Sequence, residues 1–245
     1  MHQEIYGHID RIQERHWWFR GRRYLLEKLI TKYLAGLPVD KALDIGTATG
    51  YNLKLLQRYA RQTFTVDPSD LAEALVRKNS PESVFIKAAF PNVELPHQFE
   101  IITSLDSLEH IENDHGSIAK VENLLAPGGI AILMVPAYPF LWSEQDRVLE
   151  HHRRYLKRRL IRLIQANSNL KIEYVSYFNS ALFLPITAYR LFRKVVNIFP
   201  GKSDDIIFKS TFFDRLMYPL FKTELTVLPR LKYPFGISLV AVLRK

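Results

Sequence analysis

The sequence predicts an α/β fold on a mostly parallel sheet, and three observations carry that prediction. Residues 42–56 pass from a short apolar run (Ala42, Leu43 and Ile45, around Asp44) through Gly46, Thr47, Ala48, Thr49 and Gly50 into a helical pattern at Leu53, Leu55 and Leu56. That is a buried strand, a tight turn and a helix. Strand-like and helix-like stretches then alternate as far as Pro136, which implies crossover connections and parallel strands. A length of 245 residues suits one such domain with insertions and needs no second core.

Each element follows in order. Residues 3–34 have helical spacing, through Ile5, Ile9 and Ile12 and later Tyr24, Leu25, Leu29 and Ile30, with Gly21 expected to split them into two helices. This N-terminal unit, residues 1–39, ends at Leu37-Pro38-Val39. Residues 40–177 form the core. Within it, Thr63 to Asp67 read as a strand ending in an acid 21 residues after Gly46, and residues 99–111 as a strand followed by a helix. Residues 124–136 read as a helix end, a Pro-Gly-Gly turn and a strand, residues 155–166 as a basic helix, and residues 170–177 as an alternating strand. Residues 178–235 are too long for a structureless loop and predict a helical insertion before a last strand at 236–245.

Composition excludes several chemistries. With no cysteine, disulfides, zinc-thiolate sites and thiol catalysis are ruled out, which is compatible with a reducing cytoplasm. The first residues are polar, with no long apolar run of a secretory signal, and without 18 consecutive apolar residues no spanning helix is expected. The net charge of +9 is uneven: residues 1–150 hold 16 Lys/Arg against 20 Asp/Glu (−4), residues 151–245 hold 18 against 5 (+13). Such a basic part suits nucleic acid, an anionic membrane surface or a phosphorylated substrate, or is simply a solvated face.

The glycine turn is informative in its detail. A pyrophosphate loop needs G-x-G-x-x-G, but Ala48 replaces the second glycine and Gly50 falls one position early. What remains, D-x-G-x-x-x-G, resembles motif I of the class I S-adenosylmethionine-dependent methyltransferases. Three further segments in that family's order (63–67, 99–111 and 124–136) extend the resemblance over residues 40–136. It implies a Rossmann-like seven-stranded sheet whose last strand is antiparallel, an N-terminal helical lid, and S-adenosylmethionine as cofactor. Asp44, Gly46, Thr47 and Gly50 are then expected beside its methionine portion, and Leu105 and Asp106 beneath its sulfonium. Asp67 is expected at the ribose, where a carboxylate can accept from both hydroxyls. One departure stands out: after strand three the chain reads Ile86-Lys87-Ala88-Ala89-Phe90, without the acid that many relatives place against adenine.

Two clusters suggest acceptor chemistry. Asp106, Glu109 and His110 stand at i, i+3 and i+4, one face of a helix, and resemble the metal-binding segment of ubiquinone-biosynthesis O-methyltransferases. They can hold a divalent ion, although none is expected; otherwise His110 serves as a base or merely packs. His151-His152-Arg153-Arg154-Tyr155 resembles a His-x-Arg-Arg-Tyr-like motif of bacterial methyltransferases that also carry an N-terminal Trp-Trp-Phe-Arg, here Trp17 to Arg20. On that resemblance His152 is a catalytic candidate, and Arg153, Arg154 and Tyr155, with Trp18 and Arg22 of the lid, are acceptor contacts. A solvated basic helix start is the competing reading. In the insertion, aromatic and apolar residues flank Arg190, Arg193 and Lys194. This favours a small-molecule or lipid-linked acceptor, methylated at oxygen or carbon, and a cytoplasmic protein peripheral to an anionic membrane. An RNA methyltransferase and an inactive cofactor-binding module are the alternatives.

Overall fold

The computed structural model describes residues 3–36, 38–196 and 211–245. Its centre is a seven-stranded sheet: β1 (Val39–Ile45), β2 (Ala60–Val66), β3 (Val84–Ile86), β4 (Phe99–Leu105), β5 (Leu125–Pro136), β6 (Lys171–Phe178) and β7 (Ser238–Arg244). The order is β3-β2-β1-β4-β5-β7-β6, and β7 is antiparallel to both of its neighbours. β1 and β4 are adjacent although two strands intervene in sequence. The order therefore reverses between them, and the C-terminal ends of β1 and β4 open the crevice where ligands of such sheets bind.

Both faces of the sheet are covered, so the central strands are apolar without alternation. Ile102 and Leu43 point to one side, against Ile118 of α5 (Asp114–Leu124) and Leu160 of α7 (Lys157–Asn167). Ile101 and Ala42 point to the other, against Leu25 and Leu29 of α2 (Trp17–Tyr33) and Leu53 of α3 (Tyr51–Leu56). Among the described residues the remaining α-helices are α1 (Gln3–Ile12), α4 (Asp70–Asn79), α6 (Glu144–Val148), α8 (Phe183–Val196) and α9 (Thr211–Val227).

The N-terminal helices divide at residues 13–16, where the His16 ring accepts from the Trp18 amide to cap α2, and not at Gly21. Gly21 lies inside α2 because α9 crosses there: a Cβ on it would stand 2.3 Å from the Phe221 ring. The helix therefore tolerates glycine's cost of about 1 kcal/mol, and Phe221 fills the space. Within the predicted insertion the described residues include α8 and α9, and residues 197–210 lie outside the described residues. Phe208 lies outside the described residues, as do the side chains of Arg193, Lys194, Phe212 and Phe213.

Candidate active site

A cavity of about 480 Å³ lies over the C-terminal ends of β1 and β4. Gly46, Thr47, Ala48 and Thr49 form its floor, α1, the link after it and α2 cover it through Ile9, Gln13, Trp18 and Arg22, and Ile186 and Arg190 of α8 close the far side. The floor is a strained turn. Gly46 has φ 71°, Ala48 φ 52° and Gly50 φ 75°, all left-handed. Both glycines are also required sterically, since a Cβ on Gly46 would stand 2.1 Å from the Ser107 hydroxyl and one on Gly50 3.0 Å from Val76.

Two carboxylates hold this turn from behind. Asp67 accepts from the amides of Ala48 (3.2 Å) and Ser69 (3.0 Å), while burial raises its pKa. Asp44 accepts from the Thr103 hydroxyl at 2.5 Å, and its complete burial lifts its pKa to about 6. Asp44, Gly50 and Asp67 thus support the floor without lining the cavity, whereas Gly46, Thr47, Leu105 and Asp106 line it. A carboxylate has about four acceptor sites, so Asp67 retains capacity for a ligand beside its two amides.

Asp106, Glu109 and His110 do not share a helix face. After β4 the chain turns through Asp106 in a left-handed conformation (φ 52°) and makes only a 3-10 turn at Leu108–His110. Asp106 is drawn instead to Arg22 of the lid, 2.6 Å away. Glu109 and His110 meet His151, whose ring stands edge-on to His110 with centroids 4.6 Å apart. One ligand atom from each of the three lies within 4.8 Å of the others. Burial raises the Glu109 pKa well above the usual range, with the Asp106 charge adding to it. Burial lowers that of His110 to about 4, helped by His151.

His151 is oriented from behind by Asp146, a residue to which the sequence assigns no role. Asp146 is fully buried at the start of α6, where it accepts from the Ser143 amide (2.8 Å), His151 Nδ1 (2.9 Å) and Arg154 Nε (2.7 Å). These donors hold its pKa far below the usual range against the cost of burial. Arg154 also donates to the Ala137 carbonyl at 3.1 Å.

The profile of a methyltransferase-domain family matches residues 18–180 of the 245. The chain belongs to the class I S-adenosylmethionine-dependent methyltransferases. The ubiquinone biosynthesis O-methyltransferase of Pseudomonas aeruginosa is 30% identical over 105 residues, 40% of this chain and 45% of that enzyme, so the match spans less than half of the relative. Among solved structures, the N-methyltransferase NodS of Bradyrhizobium japonicum with S-adenosyl-L-homocysteine superposes with a TM-score of 0.56 at 14% identity, covering 93% of this chain and 87% of that one. An S-adenosylmethionine-dependent methyltransferase from Clostridium acetobutylicum gives 0.57 at 14% identity, covering 92% and 91%. The [4+2]-cyclase SpnF gives 0.55 at 16% identity, covering 90% and 79%. At such identities these likenesses speak for the fold alone.

The methyltransferase cavity suits a polar, nucleoside-bearing cofactor. Among its lining residues, Thr47 Oγ1, Trp17 Nε1, Arg22 Nε and Nη2, and both Glu109 oxygens are buried without a hydrogen-bond partner in the protein. Each such group costs about 1–3 kcal/mol unless a ligand or water satisfies it. Both donors and acceptors are present, and the volume is that of an ordinary small-molecule site.

Of the acceptor contacts expected from sequence, Trp18, Arg22 and Arg154 line the cavity, whereas Arg153, Tyr155 and the catalytic candidate His152 do not. Arg153 is committed to the Ile111 and Glu112 carbonyls and to Asp114 at 2.9 Å. Tyr155 is fully buried in the core and donates to Asp114 at 3.0 Å. His152 is exposed, with its amide donating to the Glu109 carbonyl at 2.8 Å, because the chain leaving α6 turns the preceding residue inward. His151 belongs to the motif expected at the acceptor site but was not singled out from it, Arg190 was expected at a membrane surface and not in the cavity, and Asp146 was given no role. The sequence signal for His151 and Asp146 is a Ser143-x-x-Asp146 capping box five residues ahead of a histidine, a pattern that also occurs without function.

Proposed function

We propose that the enzyme methylates a hydroxyl oxygen of an amphiphilic small-molecule or lipid-linked acceptor, with His151 as the base and Asp146 as its positioning residue. The observation that carries this reading is the buried Asp146–His151 pair at 2.9 Å, set in the wall of the cofactor cavity. The O-methyltransferase activity of the Pseudomonas relative supports oxygen as the acceptor atom.

S-adenosylmethionine, when bound, supplies an electrophilic methyl group on a sulfonium. Gly46, Thr47, Arg22 and Asp106 are the residues placed to hold it, with Asp67 to receive its ribose. An acceptor then lies between that end and His151, Arg154, Ile186 and Arg190. With Nδ1–H directed at Asp146, the other nitrogen of His151 is free to take the acceptor proton as the oxygen–carbon bond forms. That tautomer is assigned from the hydrogen bond. His110 stays neutral beside it and adds no like charge to the protonated base.

The test is transfer of a tritiated methyl group to short-chain phenols and to a bacterial lipid extract. His151→Asn should lower kcat on the order of 10²–10⁴-fold while binding S-adenosyl-L-homocysteine normally, whereas His152→Asn should behave as wild type. A wild-type rate in His151→Asn removes the base assignment. Glu109, His110 and His151 have a spacing suited to a divalent ion, so the reading also requires turnover to continue in excess EDTA. Loss in EDTA with recovery in magnesium or manganese would replace the base by a metal.

A further inference from the structure

We infer that the outer face of α8, with the aromatic rim at its N-terminal end, docks on an anionic lipid bilayer; this extends the reading of an amphiphilic acceptor. α8 has the reverse of an ordinary surface helix. Ile186 and Arg190, one turn apart, face the cavity, and Arg190 donates to the Leu141 carbonyl. Leu184 (71% exposed), Ala188, Leu191 and Phe192 (61% exposed) form the opposite stripe, open to solvent. A helix normally buries its apolar stripe. Here the cationic side chain is inside and the apolar one outside, a single helix thickness from the cavity.

The rim continues the stripe. The Phe183 ring packs on Tyr138 at 5.3 Å and on Phe235 at 5.4 Å, and Tyr138 packs on Phe140 at 5.1 Å. Phe140, Phe235 and nearby Leu231 are all exposed. Cations border them: Arg230 and Lys232 flank Leu231, and Lys157 lies near enough to Lys232 to feel its charge. The Lys157 amide bonds the hydroxyl of Tyr177, whose ring stacks on Tyr138.

Charge and apolarity together select the occupant. A second copy of the chain in a two-fold contact would bury the apolar stripe but gather both copies' cations at one seam, with no acidic partner among the stripe and rim residues. A nucleic-acid backbone would match the cations but leave Leu184, Leu191 and Phe192 in water. Aromatic and aliphatic groups bordered by Lys and Arg match the boundary between lipid headgroups and acyl chains. Among the described residues no helix is long and apolar enough to span a membrane, so the contact is one of surface attachment.

The experiment is flotation with phosphatidylcholine vesicles, with and without phosphatidylglycerol. Wild type should float with the anionic vesicles at low salt and less at high salt. Leu184→Glu/Leu191→Glu should lower partitioning roughly tenfold on both vesicles. Lys157→Gln/Lys232→Gln should lower it by roughly the same factor on the anionic ones only. Calorimetric binding of S-adenosyl-L-homocysteine should be unchanged in both variants, which establishes that they are folded. Wild type remaining unbound at low salt, equal flotation of all three proteins, or a dimer in sedimentation that Leu184→Glu/Leu191→Glu dissociates would each overturn the proposal. Binding to vesicles without oxygen methylation would leave the docking face standing and remove the function proposed above.

Discussion

Asp44 costs the folded protein stability in exchange for a shaped turn between β1 and α3. It is 1% exposed, and one of its two oxygens, Oδ2, has no partner. Because burial raises its folded pKa to about 6, the native state holds a proton that the unfolded state, with a pKa near 3.8, gives up. Stability therefore falls as pH rises between those values and stays lower above them. Asp44→Asn should approach wild type below pH 4 and be more stable by about 3 kcal/mol at pH 7. Urea titrations across that range check this; a constant difference at every pH would show that ionisation is not the cause. His110 has the opposite slope, since its folded pKa of about 4 makes stability fall as pH drops below its unfolded value. At this scale the turn was legible where one residue type answers one need, as at Gly46 and Gly50, whose left-handed φ and crowded neighbours require glycine. The sequence was not legible where neighbours compete for one position, because whether His151 or His152 faces inward depends on the chain direction after α6.

Gly21 shows how an element can be right in kind and wrong in extent. Its low helix propensity suggested a break, but propensity of about 1 kcal/mol is smaller than the packing of a buried aromatic ring. Gly21→Ala should therefore destabilise by about 1–3 kcal/mol, although alanine is the better helix former. Chemical denaturation measures this, and a stabilised variant would mean that Phe221 moves aside freely. Adding Phe221→Leu should recover part of the loss. The Asp106-Glu109-His110 spacing failed in the same way. The i, i+3, i+4 pattern presumes a continuous helix, and a left-handed residue at 106 followed by one 3-10 turn abolishes the shared face while leaving the spacing intact. Short apolar runs bounded by turn residues, such as β1, β4 and β7, were legible from sequence because both of their faces are buried and no alternation is needed.

At the scale of the molecule, the parallel order was legible because crossovers and apolar strands admit few topologies, whereas the antiparallel β7 was implied by the family resemblance alone. The partnership between the two ends of the chain was not, since nothing local in α2 specifies α9. The Trp17 amide bonds Asp214 at 3.2 Å, the Tyr24 and Thr226 hydroxyls meet at 3.0 Å, and Trp17 packs edge-on to Phe221. A chain ending at residue 180 keeps the family-matched region but lacks α8, α9 and β7. It should fail to bind S-adenosyl-L-homocysteine and should bind a hydrophobic dye strongly, because Leu25, Leu29 and the open edge of β5 lose their cover. Calorimetry and dye fluorescence decide this, and normal cofactor binding by that fragment would show that α2 seats itself unaided. The clasp between α2 and α9 also has a meaning in time. A ribosome releases α2 nearly two hundred residues before its partner, so Trp18 and Arg22 wait on a half-made lid while the sheet behind them is still being synthesised. Failure of the fragment ending at residue 180 to bind S-adenosyl-L-homocysteine would place cofactor capture after the synthesis of α9.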